Sequence, residues 1–423
     1  MNKEDKILRR FFEVSRWEAS LDGALGKGLP HELLREMCKP ETRAALYRAI
    51  RDGEYHILPP HTALIPKDTP GEFRTVYVNE AADRVILAIA NQLFFDLTPG
   101  LIHENCKSYR KGIGCGAVVR EVSRYASKAS GETIGWKSDL SKYFDSVAIV
   151  HIDAAFDLLE ERYGRSALVA MIREYYHNDE YTDRQGQVCH KYMSLRQGCA
   201  VSSWLSDVIL RHIDEELSGF NGLYLRYCDD MLFIGPDHVK AMEVLKARLA
   251  EMGLSLNPRK VETLHSDRWF HFLGYSVCGG LISLSPGRIA NFQKLVDEAS
   301  KESKSAEVLT RKLTEQLYVG SEWKCWATQV LPVITSEHDI NILNAYLMDT
   351  IRAKMTGKRR IGSLGFRRDG TGGCIARGTG RNVSANRAKT PPRLPGFRSL
   401  MCVRKALKQS RPLYISLVNS SLS

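Results

Sequence analysis

Residues 223–235, LYLRYCDDMLFIG, constrain the fold of this chain more than any other stretch, because they set two adjacent carboxylates at the tip of what reads as a buried hairpin. Leu223, Leu225 and Tyr227 alternate with Tyr224 and Arg226, Met231 to Ile234 form an apolar run of strand length, and Gly235-Pro236 closes the unit. Strand, tight turn, strand is the natural parse. Asp229 and Asp230, side by side between apolar strands, disfavour each other's ionisation and cost stability unless something positive neutralises them. A divalent metal is the obvious candidate.

A pair of hard cations needs a third carboxylate. The stretch GWKSDLSKYFDSV, residues 135–147, offers Asp139 at the end of a short strand, followed by Tyr143 and Phe144. If Asp139 converges on the Asp229-Asp230 turn, three carboxylates hold two Mg²⁺ ions about 3.5–4 Å apart, with Mn²⁺ able to substitute. One ion would activate a 3′-hydroxyl and the other would bind a nucleoside triphosphate and the departing pyrophosphate. The carbonyl of Leu140 is a further oxygen ligand of the kind such ions take, though the residues give it no independent support. No His or Cys nucleophile stands in this pattern.

Composition narrows the classes. A chain of 423 residues with 43% hydrophobic and 26% charged residues is globular, with two or three domains expected. Its ten Cys form no CxxC pair and no zinc-type spacing, which argues against a structural zinc and against a disulfide-stapled secreted fold. The start, MNKEDKILRRFFEV, lacks an apolar core of signal-peptide type, and no window reads as a membrane span. A soluble, cytoplasmic protein with no membrane partner is expected.

The net charge of +11 is uneven: from Arg352 onward 17 Lys and Arg face a single acid, Asp369, which leaves residues 1–351 net acidic. That tail, with KRRIGSLGFRRDGTGGCIARGTGRN and PPRLPGF, reads as loop-like or ordered only by a partner, and a polyanion is the natural one. Arg359, Arg360, Arg367, Arg368, Arg377 and Arg381 are its candidate RNA-binding residues; a solvated flexible tail is the alternative. Upstream, residues 61–97 read as a strand pair with a turn at Thr69-Pro70-Gly71, then a helix capped by Asn79 with Val85, Ile86, Ile89 and Leu93 on its apolar face. Residues 136 to about 285 alternate strands and helices. Beyond 288, Ile289, Phe292, Leu295, Val296 and Ala299, then Ile340, Leu343, Tyr346, Leu347 and Ile351, recur at helical spacing.

These residues carry a resemblance. Tyr227-Cys228-Asp229-Asp230 resembles the YxDD box of reverse transcriptases, and Asp139 with Tyr143-Phe144 resembles their first palm motif. RQGCAVSSWLSDVIL, 196–210, is similar to the family's QG-x3-SP-x-L segment, with Ser203 where Pro is usual; GLSLNPRKVET and FLGY resemble the segments after YxDD, and FRTVYVNEAADR and NCKSYRKGIG the fingers motifs. Seven segments stand in the family's order between about 74 and 275. The fold implied is α+β, a right-handed polymerase with fingers at 1–135, palm at 136–287, a helical thumb at 288–356 and a basic RNA-binding segment at 357–423.

The resemblance implies roles residue by residue: Asp139, Asp229 and Asp230 catalytic and metal-binding, and Arg74, Lys67, Phe144, Gln197, Gly198 and Lys260 around the dNTP. Phe144 would exclude a 2′-hydroxyl, Gln197 would hydrogen-bond the nucleotide with Gly198 allowing close approach, and Lys260 would protonate pyrophosphate. Each has a plainer reading: Phe144 as core aromatic, Gln197-Gly198 as a turn before a helix capped by Ser202 or Ser203, Lys67 as a solvated charge. Asp145 and Asp207 are read as non-ligands, Asp207 on the exposed side of its helix, and Trp323 and Trp326 as thumb core rather than a stacking platform.

The compact size, the YCDD variant, SS in place of SP and RKGIG look like class 2 of the bacterial defence-associated reverse transcriptases. Membership implies copying a structured noncoding RNA template into repetitive cDNA for antiphage defence. A group II intron maturase-like or retron-like enzyme, or an RNA-binding protein with a vestigial polymerase site, are the other readings.

Overall fold

A computed structural model describes residues 4–22, 31–66, 72–129, 133–192, 194–319, 325–362, 364–368, 374–378 and 397–409. Its strands are β1 (His61–Pro66), β2 (Phe73–Val78), β3 (Ile134–Asp139), β4 (Glu180–Thr182), β5 (Val188–His190), β6 (Leu223–Tyr227), β7 (Asp230–Ile234), β8 (Glu262–His265), β9 (Phe270–Phe272), β10 (Tyr275–Cys278), β11 (Leu281–Leu284), β12 (Leu364–Arg368) and β13 (Cys374–Gly378). They lie in sheets of order β2-β1-β4-β5, β6-β7-β3-β8, β11-β10-β9 and β12-β13. The chain divides into two compact units, one of residues 1–110, 136–233 and 237–262, the other of 111–135, 234–236 and 263–423.

In the first unit β1 and β2 form the expected antiparallel pair, with Ile65 opposite Arg74, and β1 also meets β4 in parallel at His61 and Thr182. The expected turn at Thr69–Gly71 falls outside the described residues, as does Lys67. The helix Ala81–Leu97 buries Val85, Ile86, Ile89 and Leu93, as its periodicity requires. Its cap differs from expectation. Glu80 is the N-cap and makes no side-chain cap bond, while Asn79 turns inward to exchange hydrogen bonds with the buried Tyr175 hydroxyl at 2.9 and 3.1 Å. A buried phenol without a partner would cost more than an uncapped amide that water can reach.

The core of this unit joins the first helices to the rest. Phe94 lies 5.1 Å and Phe156 5.9 Å from Trp204, ring centre to ring centre. Asp5 ties two distant elements: Oδ1 accepts the Leu8 amide within the first turn of helix Lys6–Phe11, and Oδ2 accepts the amide of Ala167, which opens helix Ala167–His177.

In the second unit, helices Pro286–Glu302, Ala306–Tyr318 and Glu337–Thr356 begin at serine N-caps, Ser285, Ser305 and Ser336, each accepting an amide from its own first turn. Ile289, Phe292, Val296 and Ala299 are buried, as are Ile340, Leu343, Tyr346, Leu347 and Ile351; Leu295 is half-buried. Trp326 lies 5.0 Å from Phe292, ring to ring, and Trp323 is outside the described residues.

The tail departs from its loop-like expectation. Residues 364–378 contain the antiparallel hairpin β12-β13, and Leu400–Gln409 is a helix. Leu400, Val403 and Ala406 recur every third residue and are buried. The helix is fastened to the other helices of its unit: the Leu400 amide donates to Asn344 Oδ1 at 2.9 Å, Arg404 Nη2 to the Ile334 carbonyl at 2.8 Å, and Tyr318 Oη to the Arg398 carbonyl at 2.8 Å. Composition masked it, because the short apolar stripe sits inside a strongly basic, Gly- and Pro-rich stretch.

Candidate active site

The site is built where β3 ends beside the β6–β7 turn. Asp139 is the last residue of β3, Cys228 and Asp229 form the turn, and Asp230 opens β7. β7 lies between β6 and β3, so the turn and the end of β3 are neighbours. The Leu140 amide donates to the Asp229 carbonyl at 3.3 Å, and the Asp139 carbonyl accepts the Asn257 amide at 2.8 Å, which fixes the strand end on both sides. Cys228 takes a left-handed conformation, φ 57°, to make the turn this tight.

The three carboxyls act on one another. Burial pushes Asp229 up to about 7, with Asp139 and then Asp230 adding to the shift and Asp139 also sharing a hydrogen bond with it. Burial and the Asp139 charge push Asp230 to about 6, against the pull of Lys260 and Lys137. Asp139 itself is 8% exposed and holds Lys260 Nζ at 2.7 Å on Oδ2. Burial works to lower the Lys260 ammonium, but its bond and proximity to Asp139 outweigh this and raise it. Among the described residues no group of three or more His, Cys, Asp or Glu side chains is spaced to hold a metal ion; in this arrangement Lys260 is the cation on Asp139. The donors nonetheless suit a hard cation: all are carboxylate oxygens, and burial together with the Asp139 charge raises the pKa of two of the acids.

The other expected residues fall out as follows. Phe144 is half-buried, its ring 5.8 Å from Tyr143 and packed against the core, while Tyr143 donates to the Ser206 carbonyl at 2.9 Å. Arg74 is exposed on β2. The Gln197 carbonyl accepts the Tyr77 amide at 2.7 Å, and Gly198, at φ 112°, has no room for a side chain because a Cβ would stand 2.5 Å from the Tyr77 carbonyl oxygen. The absent side chain thus accommodates β2. Neither Ser202 nor Ser203 caps the following helix, Val201–Ile209, which starts after Ala200 without a side-chain cap. Ser202 donates to the Arg196 carbonyl and Ser203 to the Ala200 carbonyl, both bending back onto the loop.

Of the basic candidates, Arg359 stacks 4.7 Å over the Tyr346 ring and bonds Asp297 at 2.9 Å, so its guanidinium is engaged within its own unit. Arg360 is exposed, and its amide bonds Asp349. Arg367 and Arg368 lie on β12 and Arg377 on β13; Arg381 lies outside the described residues.

Asp207 overturns its expectation. It is fully buried, not on an exposed helix side, and faces Arg226 Nη1 at 3.3 Å. Arg226, also fully buried, bonds both oxygens of Asp214 at 2.7 and 2.6 Å, and Tyr224 Oη adds a bond to Asp214 at 2.9 Å. Sequence reasoning passed over this network behind the turn; its one signal was an Arg in an otherwise apolar and aromatic strand directly before the acids.

A hairpin whose turn carries two interacting acids, with a third on the adjoining strand end and a lysine beside it, defines the class of template-directed nucleic-acid polymerases. The chain belongs to the reverse transcriptase family: the family model described as reverse transcriptase (RNA-dependent DNA polymerase) matches residues 65–277. Among solved structures it is similar to apo telomerase from Candida tropicalis truncated from its C-terminal domain, at 16% identity and TM-score 0.41 over 54% of this chain and 55% of that one. It is also similar to telomerase from Candida albicans in complex with a TWJ fragment of telomeric RNA, at 14% and 0.42 over 75% and 66%, and to apo Candida tropicalis telomerase, at 12% and 0.45 over 71% and 56%. The chain thus spans between 55% and 66% of the length of those structures. No curated protein matches it. No helix among the described residues is long and apolar enough to cross a membrane.

Proposed function

We propose that this protein is an RNA-directed DNA polymerase that copies a structured noncoding RNA into repetitive cDNA and acts in bacterial antiphage defence. The observation that carries the polymerase reading is the mutual influence of Asp139, Asp229 and Asp230, acids brought together from the end of β3 and the β6–β7 turn, whose repulsion a pair of divalent cations would relieve. The defence reading is supported by the YCDD and RKGIG segments and by Ser202-Ser203 in place of Ser-Pro. In this reading 1–135 serve as fingers, 136–287 as palm, 288–356 as thumb and 357–423 as an RNA-holding segment.

Asp139, Asp229 and Asp230, with the Leu140 carbonyl, would hold two Mg²⁺ ions, and when bound these supply activation of a 3′-hydroxyl and neutralisation of triphosphate charge. Arg74 and Lys67 would add cations for the dNTP phosphates. Phe144 sets the floor under the sugar, and Gln197 hydrogen-bonds the nucleotide. Lys260, freed from Asp139, holds the proton that the leaving pyrophosphate needs.

The test is DNA synthesis by the purified protein with its copurifying RNA, dNTPs and Mg²⁺. Synthesis is expected in the wild type and a loss of about a thousand-fold or more in Asp229→Ala combined with Asp230→Ala; full activity in that variant would refute the site. Sequencing the bound nucleic acid should return one structured RNA and its repeated complement, whereas an intron or retron RNA would move the protein to those branches. Phage plating on cells expressing wild type and the double variant reads the defence role.

A further inference from the structure

The turn that carries Asp229 and Asp230 is clasped from behind by groups that no substrate reaches. Residues 105–107 lie beside β6 through a single parallel bridge: the Arg226 amide donates to the Asn105 carbonyl at 2.9 Å, the Lys107 amide to the Arg226 carbonyl at 2.8 Å, and Cys106 pairs with Arg226. One residue further on, Ser108 Oγ accepts the Cys228 amide at 2.6 Å. From the other side Arg226 Nη1 donates to the Cys228 carbonyl at 3.1 Å. Both backbone groups of Cys228, the residue that takes φ 57°, are therefore held, one by a hydroxyl and one by a guanidinium.

Neither holder is free to turn. Ser108 and Arg226 are fully buried. Arg226 is fixed by the two Asp214 oxygens and donates from Nη2 to the Asp207 carbonyl at 3.1 Å. A left-handed residue without glycine's freedom relaxes toward ordinary φ unless its surroundings over-determine it. Relaxation at 228 would re-aim the next two side chains, because the turn contains only Cys228 and Asp229 before β7 begins.

We propose that Ser108 and Arg226 are positioning residues of the polymerase site, holding Cys228 in its left-handed conformation and so setting the direction in which Asp229 and Asp230 present their carboxylates. They touch neither nucleotide nor metal; they act through the backbone of residue 228. The inference rests on the polymerase reading of the three acids and adds to it the parts that aim them.

Ser108→Ala is the variant to make: it removes the hydroxyl that accepts from Cys228 and also bears on Asp207, and it leaves Arg226 with both its bonds to Asp214. It should lower kcat about ten-fold or more, with the KM for dNTP within about two-fold. It should also weaken Mn²⁺ binding, read as a smaller rise in melting temperature on adding Mn²⁺ alone, which needs no turnover. Cys228→Gly added to Ser108→Ala should restore most of what Ser108→Ala loses relative to Cys228→Gly alone, because glycine adopts φ 57° unaided. A merely structural Ser108 would show the same loss whatever stands at 228. Wild-type kcat and Mn²⁺ response in Ser108→Ala, or a loss indifferent to residue 228, overturns the proposal. Absence of synthesis in the wild type would count against the polymerase reading alone, and the Mn²⁺ response would still decide this one.

Discussion

Arg226 keeps its charge where water does not reach, and it meets two carboxylates there, Asp214 at 2.6 Å and Asp207 at 3.3 Å. One cation cannot satisfy both. Burial pushes Asp207 up to about 6 even though Arg226 pulls it down, and Asp214 adds to the rise. An acid raised above its unfolded value of 3.8 binds its proton more tightly in the folded chain, so its own contribution to stability is fully present below that value and is lost as pH rises through about 6. The loss is on the order of 3 kcal/mol for a shift of this size. Asp207→Asn removes the titration, and its urea midpoint should be flatter between pH 4 and 6 than wild type, by about that amount; parallel profiles would assign the pH dependence to other groups.

At this scale the sequence showed the three acids that the fold brings together and hid their supports. Asp139, Asp229 and Asp230 were legible because unpaired carboxylates among apolar strands demand an explanation. Asp207 was misread because SSWLSDVIL mixes small polar residues into a helix buried on nearly every side, leaving no wet face for periodicity to find.

Among elements, the hairpin Leu223–Ile234 and helices Pro286–Glu302 and Glu337–Thr356 could be read from the sequence pattern, and they stand where it put them. The bridge at Cys106 could not, since NCKSY carries no alternation and Cys106 pairs only by lying beside β6. The loop before helix Val201–Ile209 was placed, but its constraint was not: Gly198 is required by the approach of β2. Gly198→Ala forces a Cβ onto the Tyr77 carbonyl and a side chain into φ 112°. It should cost about 2 kcal/mol or more in urea unfolding and reduce nucleotide incorporation. An unchanged unfolding midpoint would show that β2 and this loop separate freely.

For the whole molecule, the uneven charge was the most legible property, and the placement of the tail the least. Because residues 397–409 are docked within the second unit, deleting everything beyond the long helix Glu337–Thr356 would strip packing along with charge. Replacing Arg367, Arg368 and Arg377 together by Gln separates the two. If they contact phosphates, RNA affinity should drop more at low salt than at high, and the slope of log affinity against log salt should shrink by about two to three. A slope equal to wild type would remove these arginines from the interface.

Asp5 gives the molecule a timetable. Its carboxylate serves its own helix and the start of a helix 162 residues later, so helix Lys6–Phe11 cannot complete its bonding until the later helix has been synthesised. Synthesis therefore carries a long interval in which helix Lys6–Phe11 is made but not anchored to its distant partner.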